Sequence, residues 1–410
     1  MKKRPMLKKR FFRIRTWSLG IAFLAPGLKI ACLFAYAPDG ALLLKNRERE
    51  DILRRRAYLI HEVEKPGFGP ASMPSYLPPQ FKGEWAIMTA MFTSAALTNI
   101  ATFYPETRAE AREITGRLIK KVLRPDFREF HRKRWGRDPL QGLNAPRGHL
   151  AYPAYLNFIL AAHYYLGGRE YEQLFSRISL ALERKYRNVS FYNLASYPGE
   201  IYVPDNSVAL AGISLFYRLR GRKSELAERW IAYADKHLRD PRTGLLAFEL
   251  SSQGKPRQGG RGSGSSYNVF FLSYVDSRFA KAQFRLLKKH HLGRAFFFSG
   301  IREHPHGRSG GGDIDSGPLC FGLSLAATGF AVAGARLIED AELLEKFLFT
   351  GETAGFTWQW AGRRRYLTAP LVGEAVLLAA KTLVRWENHG KRIRFLQNEN
   401  PQEPLRDQNK

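Results

Sequence analysis

The apolar residues of this chain fall into two kinds of segment, and the two alternate. One kind is apolar throughout and rich in small residues: "EWAIMTAMFTSAALTNIATF" (Glu84–Phe103), "HLAYPAYLNFILAAHYYLGG" (His149–Gly168), "DNSVALAGISLFYRLRG" (Asp205–Gly221), "SGSSYNVFFLSYV" (Ser263–Val275) and "SGPLCFGLSLAATGFAVAGARL" (Ser316–Leu337). Each is followed by a segment with one apolar face, such as "REYEQLFSRISLALERKY", where Leu174, Ile178, Leu182 and Tyr186 make a stripe at helical spacing. Period-2 alternation is scarce. Turn signals separate the segments, as in "DPRTGLL" (Asp240–Leu246) and the Gly-rich "SSQGKPRQGGRGSGSS".

A helix apolar on all sides must be buried all round, whereas an amphipathic one covers a surface. The alternation therefore predicts an all-α fold, an (α/α)6 toroid of helical hairpins with buried inner helices and half-exposed outer ones. The helix "PLVGEAVLLAAKTLVRW" completes the sixth pair with one of the terminal segments. On this reading residues 316–335 form an inner helix, with Pro318 in its first turn and Asp315 or Ser316 as its cap. The competing reading makes this run a membrane span, together with Trp85–Phe103 and Leu150–Leu166.

The first 40 residues read differently. "MKKRPMLKKRFFRIR" is basic and the stretch after it, Trp17–Ala37, is apolar and long enough for one crossing at about 20 residues per bilayer. That is the arrangement of a signal or anchor segment, although Pro26 and Lys29 interrupt it; a basic helix lying flat on a membrane is the alternative. Three regions are expected: this segment (1–40), the toroid (41–388) and a polar tail (389–410). The expected location is membrane-associated, with the body periplasmic or extracellular.

Charge supports an anionic partner. The chain has 65 basic and 37 acidic residues, a net charge of +28, which favours an anionic membrane surface or an acidic glycan. No zinc-finger, RRM-like or basic-zipper pattern accompanies it, so nucleic acid is not the expected partner. The two cysteines, Cys32 and Cys320, stand in apolar stretches without metal-ligand spacing. No cofactor and no metal are expected. The glycines at 310–312 follow no strand and match no nucleotide fingerprint. Calcium is the one alternative, with oxygens from "DID", Asp205 and Asn206.

If the inner helices run parallel, the residues before each helix collect at one mouth. They include Glu84 and Trp85 of "FKGEW", His149, Tyr152 and Tyr155 of "PRGHLAYPAY", and Tyr197, Glu200, Tyr202, Asp205 and Asn206 of "YPGEIYVPDNS". Further along come Arg261, Ser263 and Tyr267 of "GGRGSGSSYN", and Glu303, Asp313 and Asp315. Structural roles compete for each of them. Asp205, Ser263 and Asp315 suit helix N-caps, Glu200 and Glu303 suit ion pairs with Arg261 or Arg302, and His149 and the tyrosines suit core packing. Asp313 and Asp315, two residues apart, point the same way if the segment is extended. Like charges at that distance raise the pKa of one of them. The candidate acid/base groups are Asp313, Asp315, Asp205 and Glu200. The candidate substrate contacts are His149, Tyr152, Tyr197, Tyr202, Asn206, Arg261, Tyr267, Glu303, Glu84 and Trp85.

The hairpin alternation, with "GHLAYPAYLN", "YPGEIYVPDNSVAL" and "GGGDIDSGP", resembles the six-hairpin (α/α)6 toroid superfamily over about residues 80–388. That group includes glycosidases, sugar epimerases, polysaccharide lyases and the linalool dehydratase/isomerase-like proteins. The glycosidase resemblance implies paired carboxylates acting on a glycan or glycoside. The dehydratase resemblance implies a small hydrophobic alcohol substrate, with cysteines and a histidine in the pocket; Cys32 and Cys320 do not fall where that requires. A third reading is a non-catalytic envelope protein that binds a glycan or a partner. The first reading, an acid/base enzyme of the cell envelope, is the one adopted. The sequence carries no sign of oligomeric state.

Overall fold

The computed structural model describes residues 39–45 and 48–387. The basic-apolar segment up to residue 38 and the polar tail from residue 388 lie outside the described residues.

Fourteen helices make up the body. After the short α1 (Gly40–Leu44), outer and inner helices alternate along the chain. The outer ones are α2 (Arg49–Glu64), α4 (Arg108–Val122), α7 (Glu172–Arg187), α9 (Glu225–His237), α11 (Ser277–His291) and α13 (Ala341–Gly355). The inner ones are α3 (Pro79–Phe103), α6 (Ala151–Leu166), α8 (Val203–Arg218), α10 (Gly262–Val275), α12 (Leu325–Leu337) and α14 (Leu371–Lys381). One further helix, α5 (Pro125–Trp135), lies between α4 and α6. Each inner helix packs on the next, and α14 returns to α3, so the ring closes. The outer helix α2 covers that closure, packed on both α14 and α3. The fold is the all-α toroid that the alternation predicts, and the terminal segment completing the sixth pair is α2.

Burial follows the two kinds of segment. Every residue of α10 is buried, whereas α9 buries only Leu226, Ala227, Trp230 and Ala234, one stripe of an amphipathic surface. The run in α3 that resembles a membrane span is a core helix, with 83% of its apolar window buried. Small residues bring helices together: a Cβ on Gly334 would lie 2.1 Å from the Phe284 ring, so α11 and α12 meet only because the methyl is absent.

The two ends of the ring differ. At the C-terminal ends of the inner helices, the buried Trp386 donates its indole N–H to Asn99 (2.8 Å). It packs against Tyr165, Tyr274 and Phe158. Phe92, Phe270, Phe271 and Phe330 fill the middle. The N-terminal ends open to the other side, where the connections form small antiparallel sheets. These are β1 (Ile201–Tyr202), β2 (Glu249–Leu250) and β3 (Pro256–Gln258), then β4 (Leu292–Ala295), β5 (Phe298–Arg302), β6 (Leu319–Cys320) and β7 (Leu323–Ser324), and the hairpin of β8 (Thr357–Trp360) and β9 (Arg363–Tyr366).

Two expectations change here. Helix α12 begins at Leu325, not near residue 316; the residues before it form a turn and the β6–β7 hairpin. Gly317, Phe321 and Gly322 have φ of +64°, +53° and +79°, a left-handed backbone that no helix continues through. Ser324 is the cap, its hydroxyl accepting from the Ala327 N–H at 3.0 Å, so neither Asp315 nor Ser316 caps a helix and Pro318 lies outside one. Likewise α14 stops at Lys381, and Trp386 reaches the core from the segment beyond it.

Candidate active site at the open end of the ring

Four inner helices place a polar side chain within their first two turns, and these four meet: Glu84 from α3, Tyr155 from α6, Asp205 from α8 and Tyr267 from α10. The Tyr155 hydroxyl donates to Asp205 Oδ1 at 2.6 Å. Asp205 is the third residue of its helix rather than the cap. Burial pushes its carboxyl above the usual range, against the Ser196 and Tyr155 hydroxyls that favour its charge. Tyr197, from the loop before β1, donates to Glu84 Oε1, and Gln80 donates to the same oxygen at 3.0 Å. Glu84 is pushed up to about 7, by burial first, with the negative charges of Asp205 and Asp315 adding to it.

The opposite wall comes from the long connection between β5 and β6. Arg261 stands between three carboxylates there. Its guanidinium meets Glu303 at 2.6 Å and Asp313 at 2.5 and 2.7 Å, and Asp315 Oδ2 lies 3.7 Å away. Glu303 is 2% exposed and accepts from the Ser263 N–H (2.9 Å) and hydroxyl (2.8 Å), so it caps α10 from outside. Asp313 also accepts from the Asp315 and Ser316 N–H groups. Its value falls below the ordinary one despite burial, because Arg261 and those N–H groups hold the charge. Asp315 behaves in the opposite way and is pushed up to about 6, by burial first and then by Asp313. Its side chain stays 55% exposed.

The two aspartates of "DID" lie in a turn rather than the extended segment expected, and Arg261 lies nearer the first than the second. Asp313 is the arginine-bound member and cannot hold a proton near neutral pH; Asp315 is the one poised to. Glu200 lies at the edge, paired with Arg134 at 2.5 Å and accepting from Tyr202 at 3.3 Å. Arg134, from α5, also covers the Tyr197 ring at 4.6 Å and donates to Gln80 at 2.9 Å, locking the Glu84 side of the site.

Other predicted contacts are not at the mouth. Tyr152 is buried and donates to the Val122 carbonyl (2.9 Å). Asn206 is fully buried, bonded to Tyr186, Leu194 and Tyr202, and holds the 194–202 loop onto α8. His149 stacks on Trp135 at 4.1 Å; burial and Lys185 lower it to about 4, so it is neutral. Trp85 is half-buried against the core. Sequence reasoning missed Arg134 and Gln80, since α5 reads only as a charged amphipathic helix.

Among the described residues no three His, Cys, Asp or Glu side chains are arranged to hold a metal ion. Where Asp313, Asp315 and Glu303 gather, a guanidinium already lies between them. A separate surface cavity of about 460 Å³ between α11, β4 and α13 contains none of the predicted site residues. Its Asp340 and Glu342 are paired with Lys288 and Lys346.

The fold and this arrangement define a class: an (α/α)6 toroid sealed at one end and lined with carboxylates at the other. The chain is similar in structure to a glycoside hydrolase from family 105 of C. acetobutylicum ATCC 824. The TM-score is 0.50 at 13% identity, over 80% of this chain and 98% of that one. At that identity the likeness is one of fold. No family model matches the sequence, and no curated protein does.

Proposed function

We propose that the protein hydrolyses a glycosidic bond by acid/base catalysis at the open end of the ring. The observation that carries this is the convergence of Glu84, Asp205 and Asp315, from three separate elements, around Tyr155, Tyr197 and Tyr267. Glycoside hydrolysis needs one carboxyl that keeps a proton for the leaving oxygen and one that is ionised as base or nucleophile. Glu84, at about 7, serves as the acid, and Asp315, at about 6, as the partner that is ionised first. Asp205 accepts from Tyr155, and its negative charge when ionised raises Glu84 further. The exposed carboxylates of the wall suit the hydroxyls of a sugar. The similarity to a glycoside hydrolase fold supports the same class.

The dehydratase/isomerase reading has no such support. His149 faces Trp135 rather than an aspartate, and Cys320 is exposed on β6 instead of lining a pocket; Cys32 lies outside the described residues.

The test is the release of reducing ends from a panel of polysaccharides and aryl glycosides. Glu84→Gln and Asp315→Asn should each slow cleavage about 10²–10⁴-fold while leaving the helical signal intact. A glycan bound with unchanged affinity and never cleaved, by wild type or variants, would point instead to a non-catalytic binding protein.

A further inference from the structure

The described residues include ten large hydrophobic side chains that are exposed, and seven of them fall between residues 296 and 367. They are concentrated on the β4–β5 and β8–β9 hairpins and on the β6–β7 turn. Phe296 (76% exposed) and Phe297 form the tip between β4 and β5, and Phe321 (68%) packs edge-on against Phe296 at 5.3 Å. Leu325, just after β7, is also exposed. On the neighbouring hairpin, Trp358 (56%) and Trp360 (68%) stand two residues apart on β8, and so on one face. The two hairpins are held by the same outer helix. Ser299 of β5 exchanges hydrogen bonds with Thr350 of α13, and β8 follows directly from the end of that helix. Isolated exposed apolar residues need no explanation, but a patch of bulky aromatics at loop tips does.

The charge carried by these segments themselves has one sign. Segments 292–302, 317–338 and 353–373 contain no Asp or Glu, yet they carry Arg294, Arg302, Arg336, Arg363, Arg364 and Arg365. Arg364 turns inward to Asp51 and Glu352, and Arg336 is largely buried. Arg294 is exposed and Arg363 half-buried, and neither forms an ion pair among the described residues; the exposed Arg365 donates to the Tyr58 hydroxyl at 3.4 Å and lies near Glu374. Bulky aromatics flanked by arginines, on hairpins that carry no acid of their own, match the interface of an anionic bilayer: rings enter at the headgroup level and guanidinium groups meet lipid phosphates.

We infer that this rim docks on an anionic lipid surface through Phe296, Phe321, Trp358 and Trp360, independently of the N-terminal segment. Both hairpins lead into the N-terminal ends of inner helices, and β5 runs directly into Glu303. Docking therefore turns the carboxylate end of the ring toward the headgroups, where a lipid-linked or envelope glycan would present its sugars. This orientation uses the proposed glycosidase site; the docking itself does not depend on it.

The experiment uses the full chain with vesicles of phosphatidylglycerol and phosphatidylcholine, or of phosphatidylcholine alone, each containing brominated lipid that quenches tryptophan at the interface. Wild type should be quenched by the anionic vesicles and much less by the neutral ones. Trp358→Phe with Trp360→Phe keeps an apolar ring at each position and should lose at least half of that quenching, with unchanged thermal melting. Phe296→Ser with Phe321→Ser should weaken vesicle binding at least tenfold. Equal quenching and equal binding by all variants would overturn the inference and leave membrane contact to the N-terminal segment. Two further outcomes also overturn it: a shift in oligomeric state in the rim variants without vesicles, which marks an interface between copies, or binding to a soluble polyanion with no quenching, which marks an acidic macromolecule.

Discussion

Asp313 and Asp315 stand two residues apart and differ in their distance from one guanidinium. Arg261 is bidentate to the first and 3.7 Å from the second, so the first is fixed as an anion and the second is left to titrate. Arg261→Gln should have two effects. Removing the cation from three carboxylates, one of them fully buried, should cost about 3–5 kcal/mol in urea unfolding. It should also raise Asp315 further, moving the acidic limb of the pH–rate profile to higher pH. A merely structural arginine would change the first reading and leave the second alone. Asp205, Asp315 and Arg261 were legible from the sequence because each stands beside a turn at the start of an apolar run. Glu84 was legible as a mouth residue but not as an acid, since its raised value comes first from burial and then from the charges of Asp205 and Asp315, which are far away in sequence.

At the scale of elements, the alternation of apolar and amphipathic helices was legible throughout, since it follows from which surfaces must be covered. The connecting hairpins were not. Their strands are two to five residues long, and an apolar run such as "SGPLCFGLSL" fits the start of a buried helix as well as a strand pair. Positive φ at Gly317, Phe321 and Gly322 decides between them. Two elements close the ring and can be tested. Trp386, beyond the last helix, seals one end; Trp386→Ala should cost about 3–5 kcal/mol and lower the melting temperature. At the seam between α2, α13 and α14, Arg55 meets Asp51 (3.0 Å) and Glu352 (2.5 Å), with Glu374 at 3.9 Å. Glu374 is pushed up to about 8, by burial first. A folded value above the ordinary 4.5 means that the folded chain holds a proton the unfolded chain releases. Its contribution is complete below about 4.5 and is lost as pH rises through about 8. Stability measured by urea unfolding should therefore fall between pH 5 and 9, and Glu374→Gln should flatten that fall.

The whole molecule is a ring with one sealed end, one carboxylate-lined end, and an aromatic, basic rim beside the open end. Most of the +28 charge is spread over the surface, so the field draws anionic partners from any direction; the rim gives the approach an orientation. The acid/base site at the open end is the central claim, and the pH dependence of kcat/KM for glycosidic cleavage tests it most directly. With Glu84 at about 7 as the acid and Asp315 at about 6 as the ionised partner, the profile should be a bell with its maximum between pH 6 and 7. The alkaline limb should be lost in Glu84→Gln and the acidic limb in Asp315→Asn, each on a much reduced rate. A profile with the same limbs in wild type and both variants, at undiminished rate, would contradict the account and place the chemistry elsewhere on the ring.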